Sequence, residues 1–126
     1  MTLENKIFNT LTASTSITDY VQKRVYPVTV PQGITSFPTI TYFRVSNTRM
    51  YSLDGFVKEE NVRIQFDIFS ESFETARTVA LNLHNVMLDS TYFKCIMVDE
   101  QDSFEGEDNY YLYRVTQDYS IWNQTT

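Results

Sequence analysis

His84 and Cys95 are the chain's only histidine and only cysteine, and a thiol beside an imidazole would make a nucleophile. Nothing in the sequence supplies the third group that would orient such a pair. His84 lies beside Leu83 and Asn85, offset from the apolar stripe of a predicted helix. Cys95 sits in Tyr92-Phe93-Lys94-Cys95-Ile96-Met97-Val98, which reads as a buried strand, so its expected role is structural. The second candidate chemistry is cation binding by Asp99, Glu100, Asp102, Glu105, Glu107 and Asp108. A helix-loop-helix calcium site needs Gly at its sixth position and Glu at its twelfth, whereas counting from Asp99 reaches Phe104 and Tyr110. The run is therefore expected to be a solvated loop between two strands, with no metal site. The sequence has no glycine-rich phosphate cradle, nucleophile elbow or paired metal-ligand spacing, and an enzyme is not expected.

The elements that would have to position any site are more informative. Asp54-Gly55 lies midway between two runs that become complementary if the chain folds back there. With that pair at the centre of a two-residue turn, residues whose numbers sum to 109 face each other. Phe43 then meets Phe66, Val45 meets Ile64 and Thr41 meets Ile68, while Arg49 meets Glu60 and Tyr51 meets Lys58. The other face pairs Arg44 with Gln65, Ser46 with Arg63 and Tyr42 with Asp67, so a slip by one residue would set apolar against polar. About fifteen residues per arm at ~3.4 Å each extend roughly 50 Å, well beyond an ordinary strand. The outer part, Asn47 to Asn61, carries Met50, Tyr51, Leu53, Phe56 and Val57, an apolar load that a monomer has little reason to expose. The arm is expected either to curl back onto its own domain or to grip a neighbouring subunit. For the second case the interface set is Met50, Tyr51, Leu53 and Phe56, supported by Arg49 and Glu60.

The remaining pattern fits an α+β fold: a mostly antiparallel four-stranded sheet with the long hairpin at about 39–70 and helices on one face. Leu3, Ile7, Phe8 and Leu11 recur at a helical period. Ser16 with Asp19 reads as the cap of a second short helix that ends at Val25-Tyr26-Pro27. The stretch from Val28 to Pro38, with Pro27, Pro31, Gly33 and Pro38, is expected to wrap over the surface. Ser72 caps a helix to about Leu88 with Phe73, Ala76, Ala80, Leu83 and Met87 inward. Strands are expected at Phe93 to Asp99 and Tyr110 to Trp122, the strands before and after the long helix being either parallel neighbours or antiparallel.

With 126 residues, 42% hydrophobic and 15% aromatic, and no linker-like stretch, one domain over 1–126 is expected. A net charge of -6 with ten scattered Lys and Arg argues against holding nucleic acid by phosphate neutralisation, though not against passing close to DNA. No run approaches the ~18 apolar residues of a membrane span and the N-terminus lacks a signal-peptide core, so a soluble cytosolic protein without a membrane partner is expected.

Several segments, in order, resemble the small tail completion proteins of long-tailed bacteriophages, a family that includes tail terminators and tail-to-head joining proteins. They are Arg24-Val25-Tyr26-Pro27 with Pro31-Gln32-Gly33 and Pro38; Tyr42-Phe43-Arg44-Val45-Ser46 leading to Tyr51-Ser52-Leu53-Asp54-Gly55; Val62-Arg63-Ile64-Gln65-Phe66-Asp67-Ile68 with Ala76 and Ala80; and the closing Tyr113 to Trp122. The acidic stretch from Asp102 to Asp108, with Phe104, departs from the family's pattern. The resemblance implies a virion protein without active site or cofactor, assembled in the host cytoplasm. It implies a ring, typically of six copies, at the head-proximal end of the tail tube. That ring would end tube growth and offer a docking face to the head connector or neck. Implied partners are further copies of the chain, the tail tube protein and the connector, with no sequence-specific nucleic acid. Two rival readings stay open: a free-standing prophage binding module, and a small metal-dependent hydrolase using the carboxylates from Asp99 to Asp108.

Overall fold

A computed structural model describes residues 2–33, 36–52, 55–107 and 110–124, with side chains throughout except at 49–52, 55–58, 107 and 110. Two helices come first, α1 (Leu3–Thr12) and α2 (Thr15–Val21), then strand β1 (Val25–Pro27). Strands β2 (Thr39–Ser52) and β3 (Gly55–Ser70) form the expected hairpin, followed by α3 (Phe73–Leu88). A second hairpin closes the chain, β4 (Lys94–Glu107) with β5 (Tyr110–Gln124). The sheet has five strands in the order β1-β2-β3-β5-β4, and β1 runs parallel to β2, so it is mixed rather than four-stranded and antiparallel. The added strand is short. Arg24 makes it possible, donating from Nε to the Pro38 carbonyl at 3.1 Å and from Nη2 to the Tyr20 carbonyl at 3.2 Å, which ties the surface segment's end to α2.

The strands on either side of α3 are not neighbours: β5 lies between β3 and β4 and runs antiparallel to both. The stretch 102–107, expected as a loop, continues β4 because each residue finds a partner on β5, from Asp102 opposite Val115 to Glu107 opposite Tyr110. Local charge suppresses strand propensity, and cross-strand pairing overrides it here.

Hairpin register holds in the middle and shifts at both ends. Ser46 faces Arg63 and Arg49 faces Glu60 as counted. A bulge between Arg44 and Ser46 then moves the inner half by one residue, so Tyr42 faces Phe66, Arg44 faces Ile64 and Thr41 faces Asp67. The extra residue is Val45, 54% exposed, and the core side of β2 is Ile40 and Tyr42 rather than Phe43 and Val45. At the tip Tyr51 faces Phe56 and Ser52 faces Gly55, which makes Gly55 the first residue of β3 and not a central turn residue. Asp54 lies outside the described residues.

Alternate residues of β3, Val62, Ile64, Phe66 and Ile68, are fully buried beneath the helices. They meet Leu3, Ile7 and Leu11 of α1, Ile17 and Val21 of α2, and Ala76, Val79, Ala80, Leu83 and Met87 of α3 in one core. Each fully buried side chain of this size stabilises by roughly 1.5–3 kcal/mol. The Tyr119 ring meets Phe66 edge-on at 5.4 Å, and its hydroxyl donates to Gln117 Oε1 at 2.7 Å. Gln117 in turn donates to the Ala80 carbonyl at 3.0 Å and to Glu100 Oε2 at 2.6 Å, pinning α3 to β5 and β4. Ser72 caps α3 by accepting from the Thr75 amide. The cap of α2 is Ser14 and not Ser16; the two hydroxyls bond each other at 2.9 Å, so neither caps the helix amides.

Candidate assembly surfaces

The residues first examined for chemistry are held in structural roles. Cys95 Sγ donates to the Met87 carbonyl at 3.4 Å, and burial pushes its thiol up to about 11, the opposite of what an activated nucleophile requires. His84 meets the Tyr119 ring at 6.3 Å. Arg77 of α3 bridges two of the acids, reaching Glu100 Oε1 and Asp102 Oδ1 at 3.1 Å each. Asp99, displaced by a register shift after Met97, pairs instead with Asp118 on the sheet's other face. Strand alternation thus scatters the carboxylates, and no group of three or more His, Cys, Asp or Glu converges among the described residues.

The arm of the first hairpin projects less than its length predicted. β5 pairs with β3 out to Glu59 opposite Gln124, so among the described residues Gly55 to Lys58 of β3 extend past that pairing, about 13 Å at strand rise. Of the expected interface set, Arg49, Met50, Tyr51 and Phe56 have backbones on the arm and side chains outside the described ones, and Leu53 lies wholly outside. Glu60 is opposite Arg49 in register but is only 3% exposed, turned inward at the arm's root. Its Oε1 accepts from Asn123 Nδ2 at 2.9 Å, and Arg44 Nη1 stands 3.6 Å from Oε2. Asn123 Oδ1 accepts from Lys6 Nζ at 2.6 Å, and Arg44 Nε donates to Glu4 Oε1 at 3.0 Å. One polar cluster therefore locks α1, β2, β3 and β5 where the arm leaves the core. A groove of about 1040 Å³ lies beside this root, lined by Lys6, Phe93, Lys94, Ile96 and Trp122 among others.

The opposite end of the sheet carries a feature that sequence reading missed. β4 and β5 run past the last β3 pair, Ser70 with Tyr113, and there Phe104 lies 5.8 Å from Tyr111 and 4.9 Å from Tyr113. Phe73 at the start of α3 adds a fourth ring, 5.7 Å from Tyr113. The available signal was alternation: Phe104 and Gly106 on one strand stand directly across from Tyr113 and Tyr111 on the next, obscured by the carboxylates between them.

Among solved structures the same fold occurs in a chain from "Virion of native gene transfer agent (GTA) particle", with a TM-score of 0.77 and 11% identity, covering 97% of this chain and 94% of that one. Sequence comparison with curated proteins returns no match. The family description "Tail completion protein gp17" matches residues 5–124, nearly the whole fold from α1 to the end of β5. The chain belongs to the tail completion protein gp17 family, and is a structural protein of the phage tail.

Proposed function

We propose that copies of this chain form a closed ring, a hexamer, that caps the head-proximal end of the tail tube. The ring ends tube growth and presents the docking face for the head connector or neck protein. Its partners are further copies of itself, the tail tube protein and the connector; it needs no cofactor, metal, membrane or specific nucleic-acid sequence. The whole of 1–126 acts as one tail-completion domain within the virion, after assembly in the host cytoplasm. The observation that carries this reading is the family match across residues 5–124 of a chain whose hairpin projects beyond its own sheet. The shared fold of a chain in a gene transfer agent virion supports a place in a particle. In the ring, the arm tip is the subunit contact, through Arg49, Met50, Tyr51, Leu53 and Phe56, with Glu60 fixing its root.

Electron microscopy of lysates from the encoding phage or prophage with this gene deleted tests the role. Overlong headless tubes assign the chain to ending tail growth, and normal-length tails lying apart from full heads assign it to joining. Intact, infectious particles remove the tail reading.

A further inference from the structure

The sheet has two unpaired edges, and they match. On one side β1 covers β2 only at Ile40, Thr41 and Tyr42, ending with the Val28 amide donating to the Tyr42 carbonyl. Over 43–48 the outer side of β2 has no strand beside it among the described residues. On the other side β4 pairs with β5 alone, which leaves its outer row of amides and carbonyls without a strand partner among the described residues. Such a row is a template for another strand. Apolar side chains stand at both edges: Val45 of β2 is 54% exposed, and Ile96 and Val98 of β4 are 54% and 48% exposed. Neither 43–48 nor 94–99 contains a proline, and the bulge in each, a device that elsewhere blunts an edge, turns out a valine rather than a charge.

The two stretches also lie at one height. Straight across the ladders, Thr48 faces Asn61, then Trp122, then Lys94; Ser46 faces Arg63, Ser120 and Ile96; Phe43 faces Gln65, Asp118 and Asp99. β2 and β4 run in opposite directions, since each step from β2 through β3 and β5 to β4 is antiparallel. A rotation about an axis along the strands keeps both height and direction. It therefore brings β2 of one copy against β4 of the next, antiparallel and without axial shift. That contact is head-to-tail and can close as a ring, whereas β4 against β4 would close as a dimer and crowd Asp99, Glu100 and Asp102 against their own copies. The 43–48 stretch carries Arg44 and no acid. Beyond the Lys94 row β5 continues to Gln124 with no β4 residue opposite, and the groove lined by Tyr92, Phe93, Lys94 and Trp122 opens there. The backbone of β2, which runs on past Thr48 to Ser52, reaches the same height.

We propose that the edge of β2 at 43–48 in one copy pairs, antiparallel, with the edge of β4 at 94–99 in the next, carrying one sheet across the subunit boundary. This rests on the ring reading and names the surface at which its copies join. Ser46 and Ile96 share a row and the face away from the helices, so cysteines there would meet across the boundary at disulfide distance. The test uses the full-length chain in a Cys95→Ala background, bound to tail tubes isolated from the deletion strain, with Ser46→Cys and Ile96→Cys introduced together or singly. Oxidation of the double variant is expected to give a ladder of linked copies, and each single variant is expected to stay unlinked. Dimers from a single variant would mean that an edge pairs with itself, and bound chain without a ladder would put the contact elsewhere. Both results overturn the edge pairing and leave the ring. Failure of the unsubstituted chain to bind tubes at all counts against the ring reading, on which the pairing depends.

A second measurement needs no substitution. On binding to tubes, amide exchange of the native chain is expected to slow about tenfold or more within 43–48 and 94–99, and to stay unchanged within 102–106. Bound chain that exchanges in both stretches at the free rate would contradict the proposal.

Discussion

Asn123 holds the buried Glu60 carboxylate at 2.9 Å while its own carbonyl accepts from Lys6 at 2.6 Å, so one amide links β5, β3 and α1. Removing it leaves a buried charge short of a donor, which costs more than the hydrogen bond's net contribution. Asn123→Ala is expected to lower unfolding free energy by about 2 kcal/mol in urea titrations, and Glu60→Gln by less, since it keeps the shape. Exchange of the Val62 amide should quicken in Asn123→Ala. Unchanged stability would show that Arg44 alone satisfies Glu60.

Cys95 should be inert while the chain is folded. With the thiol at about 11 rather than its ordinary 9.0, the thiolate fraction at pH 8 falls about 100-fold. A disulfide reagent should label it slowly in buffer and at once in denaturant. The folded state binds this proton more tightly, so its contribution to stability is complete below pH 9 and is lost as pH rises toward 11. Rapid labelling without unfolding would put the thiol in water.

Val28 holds a left-handed backbone, φ 69°, at a site 70% exposed, while its amide donates to the Tyr42 carbonyl at 2.8 Å. That conformation costs a β-branched residue about 1–2 kcal/mol and glycine little. Val28→Gly should therefore raise stability by about 1 kcal/mol despite losing a side chain, read as a higher urea midpoint. A loss of stability would mean the valine side chain outweighs the strain.

Asp118 and Arg63 share the sheet face opposite the helices, each with one shielded atom, Oδ1 and Nε, that has no hydrogen-bond partner. Burial first, then Asp99 and Asp67, raise the Asp118 carboxyl above its usual range against the pull of Arg63. A raised carboxyl favours folding below the ordinary carboxylate value, and that contribution is lost as pH climbs through the raised one. Asp118→Asn should be more stable than wild type at pH 7 by ~2–4 °C in melting temperature, the gap narrowing toward pH 4. A gap that widens on acidification would reverse the sign and refute the assignment.

Much of this fold was legible because period and burial agree. The alternation of β3 read correctly and so did Ala76, Ala80, Leu83 and Met87 of the α3 stripe, since Leu83 and Ile64 are apolar at positions the core needs; Phe73, expected inward, is instead 47% exposed at the helix start, and Val79 takes a buried place. What failed was non-local. The bulge at Val45 leaves no mark in residue types yet exchanges Phe43 for Tyr42 in the core, and β1 exists only because Ile40 is there to pair with Val25. The arm was legible as a hairpin but not in its reach, because Gln124, distant in sequence, pairs with Glu59 and shortens the overhang. The aromatic platform was hidden for a similar reason: carboxylates from Asp102 to Glu107 argue for a loop until β5 lies beside them.

The most direct measurement is gold labelling of an epitope-tagged chain on intact particles of the phage or prophage that encodes it, viewed by electron microscopy. Label confined to the junction between tail tube and head is the result expected of a ring that completes the tail. Label spread along the tube, at the distal tip or on the capsid shell would contradict it.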